Sequence, residues 1–237
     1  MSQSFKDKTA LVTGATRGLG YHLALELAKQ GAHIIALGRT VGSLEALDDE
    51  IKSVGSQATL VPLNLLELET IDALGPTLFE RFDKLDLLVG NAAYLGGLAP
   101  ISHFKTDEWN KVLTTNLTAN FSLLRTLDPL LQRSENATAL FITDQDESTR
   151  GAAYWGPITA SKAALEVLVK SYAAETQETS MRTLLVNPGP MSTNLRQKAF
   201  PGEDQSGLNN PETIAKRLVT TLLENTYENG ETLDVSK

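Results

Sequence analysis

The chain has 237 residues, 41% of them hydrophobic, with 29 acidic against 21 basic side chains and a net charge of −8. That is enough apolar material for one large α/β domain, and the acidic balance argues against nucleic acid as a partner, because phosphate binding needs a basic face. The lack of cysteine excludes disulfides, thiol nucleophiles and thiolate metal sites, and His22, His33 and His103 show no ligand spacing, so no metal centre is expected.

In chain order, Met1–Lys6 carries no apolar signal core, and no later apolar run approaches a membrane span. The expectation is a cytoplasmic protein with no membrane partner. Short β-branched or aliphatic runs then alternate with longer segments of helical period. The predicted strands are Thr9–Thr13, His33–Leu37, Thr59–Leu63, Leu85–Val89, Ala139–Thr143, Thr183–Asn187 and Glu231–Val235. Each is apolar on both faces, as strands covered by helices on two sides must be. A helix follows the first strand from Tyr21 to Gln30 and stops at Gly31. Leu44, Leu47, Ile51 and Val54 form a helical stripe, as do Ile71, Leu74, Leu78 and Phe82, where Gly75-Pro76 is expected to bend or restart the helix.

A long helix with a broad apolar face is predicted over Asp107–Leu131, carrying Trp109, Val112, Leu113, Leu117, Phe121, Leu124 and Leu127. Another runs from Pro157, a residue suited to a first helical turn, to about Thr176. Helices this apolar can pack against a second copy, so a homodimer or homotetramer is expected. Pro188–Pro211 is the most loop-like stretch. It reads either as a lid over a ligand or as a plain connection.

Between the first strand and its helix stands Thr13-Gly14-Ala15-Thr16-Arg17-Gly18-Leu19-Gly20. Gly14 permits a tight turn, Gly18 lets the backbone approach a diphosphate, and Gly20 lets helix and sheet pack closely. The helix start then presents N–H groups and a positive dipole end to phosphate. A glycine trio alone is a weak signal, but in the first unit of a βα repeat it is a strong one. The fold expected is α/β: a Rossmann-type doubly wound parallel sheet of about seven strands, helices on both faces, one domain over 1–237.

This turn, with the motifs that follow it, resembles the short-chain dehydrogenase/reductase family of NAD(P)-dependent oxidoreductases, over essentially the whole chain. Asn91-Ala92-Ala93 resembles the family's Asn-Ala-Gly turn, and Asn64 with Leu65 stands where the family contacts adenine. Asn116 matches an asparagine of the family's long helix, and Ser161-Lys162 ends its Tyr-x-x-x-Lys signature. Asn187-Pro188-Gly189, with Met191 and Thr193, matches the loop beside the nicotinamide. The resemblance implies that these residues, with Gly14, Thr16, Arg17, Gly18, Leu19, Gly20 and Lys162, hold a nicotinamide dinucleotide. NAD sites end the second strand with an acid for the ribose hydroxyls. Here that strand runs into Gly38-Arg39-Thr40, and Arg39 with Arg17 suits a 2′-phosphate, favouring NADP(H) over NAD(H).

Catalysis by resemblance needs a tyrosine that protonates the oxyanion left by hydride transfer and a serine that orients it. Counting four back from Lys162, the tyrosine's place holds Ile158. The serine's place, at the end of the fifth strand, falls on Asp144 or Gln145, with Asp146 within the uncertainty of the count. None of the four residues carries a hydroxyl. Asn116 and Lys162 are the retained catalytic residues, and Tyr154 is a surrogate acid at poor spacing, since eight helical residues to Lys162 would span about 12 Å. Thr143 and Ser148 are the weak substitutes for the serine. Two readings stay open: an oxidoreductase on an unknown small carbonyl or alcohol with impaired or rerouted catalysis, or a non-catalytic cofactor-binding protein acting as sensor or assembly partner. A lyase or epimerase fits less well, because such relatives keep their own Tyr-x-x-x-Lys.

Overall fold

A computed structural model describes residues 4–144 and 151–236. Its sheet has seven strands, all parallel: β1 (Thr9–Thr13), β2 (His33–Gly38), β3 (Ala58–Pro62), β4 (Leu87–Gly90), β5 (Thr138–Ile142), β6 (Arg182–Asn187) and β7 (Thr232–Asp234). Their spatial order is β3-β2-β1-β4-β5-β6-β7. Winding therefore reverses between β1 and β4, which opens a crevice at the carboxyl ends of those two strands. The helices are α1 (Gly18–Lys29), α2 (Val41–Ser53), α3 (Leu68–Phe79), α4 (Thr106–Leu113), α5 (Ala119–Leu131), α6 (Gly156–Glu175), α7 (Asn194–Ala199) and α8 (Pro211–Glu224).

Side-chain alternation along the strands feeds two cores. Ala10, Val12, Ile34 and Ala36 pack with Leu23 and Leu27 of α1, Leu44 and Leu47 of α2, and Ile214 and Leu218 of α8. Leu11, Ile35, Leu88 and Phe141 point the other way, onto Ile71 and Leu78 of α3, Leu123 and Leu127 of α5, and Leu165 and Val169 of α6. Each fully buried leucine or isoleucine contributes about 1.5–3 kcal/mol, so this two-sided burial is what holds the sheet.

Strand limits differ by one or two residues from those read in the sequence. β4 starts at Leu87 rather than Leu85 because Asp86 is used as an anchor. Its carboxylate accepts from the Thr9 amide at 2.9 Å, the Ser134 hydroxyl at 2.7 Å and Lys8 at 3.2 Å. Burial pushes this carboxyl up, but those bonds outweigh burial and hold it below the usual range. The pairing of β7 extends past its ends through Leu185 N–H to Glu231 O and Val235 N–H to Asn187 O.

Two helical expectations are corrected, and the loop-like stretch carries structure of its own. The helix expected to bend or restart at Gly75-Pro76 does not restart: it runs through Pro76 and ends before Phe82. Proline removes the N–H that would bond the carbonyl of Asp72, and the Thr126 hydroxyl of α5 supplies the missing donor at 2.9 Å. The long helix over Asp107–Leu131 is not one regular α-helix. A π turn, Thr114–Thr118, separates α4 from α5 and leaves Phe121 44% exposed rather than on the buried face. Pro188–Pro211 contains α7 and a 3-10 turn, Gln205–Gly207, and is pinned by a bridge between Met191 and Asn209. Among the described residues no helix is long and apolar enough to cross a membrane.

The Pro76 arrangement is testable by a double-mutant cycle. Thr126→Val should cost about 1 kcal/mol in urea unfolding by stranding the Asp72 carbonyl. Adding Pro76→Ala, which restores a backbone N–H, should recover most of that loss. Simple additivity of the two changes would refute the account.

Candidate active site

The crevice at the β1–β4 reversal is a groove of about 1540 Å³. Its floor is knotted by side chains. The Thr13 hydroxyl donates to the Val89 carbonyl at 3.2 Å and accepts the Asn91 and Ala92 amides, each at 3.0 Å. The Asn91 side-chain amide answers by donating to the Thr13 carbonyl at 2.9 Å. Gly14 turns the chain at φ 65°, a conformation L side chains rarely adopt. A Cβ on Gly20 would collide with the Gly14 carbonyl and the Asn91 amide, so only glycine lets α1 start this close to the sheet. Arg17 enters α1 in an extended conformation with no side-chain cap, leaving the leading N–H groups of the helix for an anion.

The groove brings together most of the residues expected to hold a dinucleotide. Gly14, Thr16, Arg17, Gly18, Leu19, Arg39, Asn64 and Leu65 line one half, with Asn91, Ala92 and Ala93 at the switch point. Lys162, Pro188, Gly189, Met191 and Thr193 line the other half. Gly20 lies behind the lining, as its packing requires. Asn64 organises its own turn, accepting the Leu66 amide and donating to Glu67 at 3.3 Å.

Asn116 does not reach the groove. It sits in the π turn at 0% exposure, with Oδ1 accepting the Tyr94 amide at 2.8 Å and Nδ2 donating to the Tyr94 carbonyl and the Ser161 hydroxyl, both at 3.0 Å. The backbone carbonyl of Asn116 accepts from Asn120 Nδ2 at 2.7 Å. Tyr154 is not in the groove lining either: it stands before α6 at φ 74° with 59% exposure. Ile158 and Asp144 do line it, beside Thr143 and Lys162. Gln145, Asp146 and Ser148 lie outside the described residues.

Lys162 is 7% exposed and donates to the Ile142 carbonyl at 2.6 Å. Burial lowers its ammonium from the usual lysine value to about 8, against the opposing pull of Asp144 and Glu166. The Thr143 hydroxyl is committed to Glu166 Oε1 at 2.6 Å, so it points its proton into the protein. Around the groove stand Arg17, Arg39, Lys111, Lys162, Arg196 and Lys198, against Asp144 as the only carboxylate among its described lining residues. Arg196 is satisfied internally by two 2.6 Å bonds to Glu203. The cleft of this acidic chain is thus lined mainly by cations among its charged side chains. The uncapped helix start, the close-packed glycines and the two arginines without an acid on β2 fit a dinucleotide diphosphate carrying a further phosphate.

Sequence reasoning missed Thr13, whose polar side chain at the end of a buried strand was the available signal. It also missed the wall formed by Trp155 and Phe200, whose rings lie 5.3 Å apart. Phe200 is far from Trp155 in sequence, and no local pattern pairs them.

Residues 8–204 match the family model for short chain dehydrogenase. The chain is 35% identical over 211 residues to the uncharacterized oxidoreductase YciK of Escherichia coli (strain K12), covering 88% of this chain and 83% of that one. It is 31% identical over 230 residues to the NADPH-dependent pterin aldehyde reductase of Arabidopsis thaliana, covering 96% and 93%. Among solved structures it is similar to a chain of Escherichia coli CFT073 described as a short chain dehydrogenase complexed with NADPH, with a TM-score of 0.93, 31% identity and full coverage of both chains (100% each).

The buried Lys162 makes stability depend on pH. The unfolded chain holds this proton to about pH 10.5 and the folded chain only to about 8, so the unfolded state binds more protons between those values. Stability from this group therefore rises with pH across that window, by up to about 3 kcal/mol, and the cost of the buried charge is carried in full below it. The difference in unfolding free energy between wild type and Lys162→Met should climb over that window. A flat difference would show that the ammonium is not desolvated.

Proposed function

The chain belongs to the short-chain dehydrogenase/reductase family of oxidoreductases, and from that premise we propose that it binds NADP(H) in preference to NAD(H) and has impaired carbonyl–alcohol chemistry. The observation that carries this reading is Ile158 facing the groove beside Lys162, where an acid is needed. Bound in the groove, the nicotinamide would supply or accept a hydride. The chain's own residues bind and orient: the α1 start and Arg17 take diphosphate, Arg39 takes the 2′-phosphate, and the loop from Pro188 to Thr193 shapes the far end. Ile158 excludes water and has no proton to give. The Thr143 hydroxyl is already spent on Glu166. Loss of a positioned general acid costs about 10²–10⁴ in rate, so a slow oxidoreductase is expected. The named aldehyde substrate of the Arabidopsis relative makes carbonyl compounds the class to assay.

A second reading, a cofactor-binding protein without turnover, is favoured by the inward commitments of Asn116 and Lys162, whose bonds serve the fold whether or not chemistry occurs. Self-association through the outer faces of α5 and α6, where Phe121 and Val167 are 44% and 65% exposed, would suit either reading.

Fluorescence titration should show NADPH binding more tightly than NADH, with the preference lost in Arg39→Ala. An unchanged preference would refute the cofactor assignment. With a broad carbonyl panel, the wild type should oxidise NADPH slowly and Ile158→Tyr combined with Gln145→Ser should gain on the order of 10² in kcat. Ordinary reductase rates in the wild type would refute impairment, whereas activity confined to the repaired variant would leave the non-catalytic reading.

A further inference from the structure

The groove's far rim is tied to a part of the molecule that the chemistry itself does not use. After β6 the chain runs Asn187-Pro188-Gly189 into the groove wall, with the Gly189 amide donating to Asn187 Oδ1 at 3.1 Å and Gly189 at φ 64°. Directly against it lies Ser236, just past β7: a Cβ added to Gly189 would fall 2.6 Å from the Ser236 Cβ. Val235 donates to the Asn187 carbonyl at 3.1 Å, so the segment leaving β7 is bonded to the start of the loop leaving β6.

Ser236 donates its amide at 2.9 Å and its hydroxyl at 2.5 Å to Asp234 Oδ1, and its carbonyl oxygen is a node. It accepts from Asn209 Nδ2 at 2.9 Å and from Arg217 Nη1 of α8 at 3.2 Å, and the same guanidinium nitrogen reaches the Val235 carbonyl at 3.4 Å. Asn209 is itself part of the rim. Its carbonyl accepts the Ser192 amide at 2.9 Å, and its amide donates to the Pro190 carbonyl at 3.3 Å. Two donors from separate elements thus converge on the carbonyl of the residue whose Cβ packs against Gly189. None of these bonds touches the adenosine half of the groove around Arg17, Arg39 and Asn64.

We propose that Arg217 and Asn209 are positioning residues that, through the Ser236 carbonyl, set the Gly189–Ser192 rim for the nicotinamide half of the cofactor while leaving the adenosine half untouched. This rests on the reading of the groove as an NADP(H) site. A guanidinium on two carbonyls, braced by a side-chain amide, holds a loop in one geometry and removes its ordering cost from binding. A loop released from that node must be ordered by the ligand, and only a ligand that reaches it bears the cost.

The test compares two probes on the full chain: NADPH, which spans the groove, and adenosine 2′,5′-bisphosphate, which occupies only the adenosine half. Arg217→Met keeps the stem and removes the donors, and Asn209→Asp keeps the shape and removes Nδ2 as a donor. By calorimetry each should weaken NADPH by about tenfold while leaving the bisphosphate unchanged. Exchange of the Gly189 and Ser192 amides should accelerate, and Arg217→Lys should recover part of the NADPH affinity. A merely structural role would lower the melting temperature without splitting the probes. Equal losses for both probes, or no loss for either in a folded variant, overturn the positioning role alone. Wild-type protein that binds neither probe overturns the cofactor reading and this role with it.

Discussion

The interaction on which the rest depends is the knot between the ends of β1 and β4. At that point the sheet reverses its winding, and two neighbouring strands send their chains to opposite faces. The parting chains leave backbone groups with no ladder partner. Thr13 and Asn91 supply the missing partners: one hydroxyl takes two amides and gives one bond, and one carboxamide takes back the Thr13 carbonyl. Each bond is worth about 1 kcal/mol net, but leaving a buried group unpaired costs about 1–3. The knot therefore has to be complete, and once complete it fixes where Gly14 turns and where α1 begins. The anion site is a consequence of that closure rather than an addition to it.

The fold was legible because its central strands are buried on both faces and its helices are not. Runs such as Leu11-Val12 and Ile34-Ile35-Ala36 are long enough to be strands and too short to be helices. Their alternate residues feed separate cores, as a parallel sheet requires. Strand limits slipped where a polar group does structural work, as Asp86 does before β4. Periodicity sees apolar side chains and is blind to a carboxylate that organises a strand entrance. The continuity of α3 through Pro76 was hidden for the same reason. A proline's cost in a helix depends on whether some distant donor replaces its N–H, and Thr126 lies in another helix.

The site was legible in unequal halves. The dinucleotide half is written in contiguous backbone chemistry, glycines at fixed offsets between a strand and a helix, so sequence alone could place it. The other half is assembled by contacts distant along the chain: Trp155 against Phe200, Ser236 against Gly189, and Asn116 against Tyr94 and Ser161. Tyr154 shows the limit from the other side. It is near Lys162 in sequence, yet a left-handed backbone ahead of α6 leaves it largely in solvent and out of the groove wall.

The same geometry shows which side chains of the site the fold itself uses. Lys162 is not suspended in the groove awaiting a partner. It is bonded to the end of β5 at 2.6 Å and ties α6 to the sheet. Asn116 ties the π turn to the chain at Tyr94 and to α6 at Ser161. Removing either would strand buried acceptors and donors, a cost of about 1–3 kcal/mol for each group left unpaired, in a chain whose total stability is on the order of 10 kcal/mol. The side chain of Ile158 has no such duty: it is apolar and faces the groove. Retention of Asn116 is therefore what folding alone would demand, whereas Lys162 ties α6 to β5 at the cost of burying an ammonium. Ile158, by contrast, lines the groove beside Lys162 and brings no polar group to it.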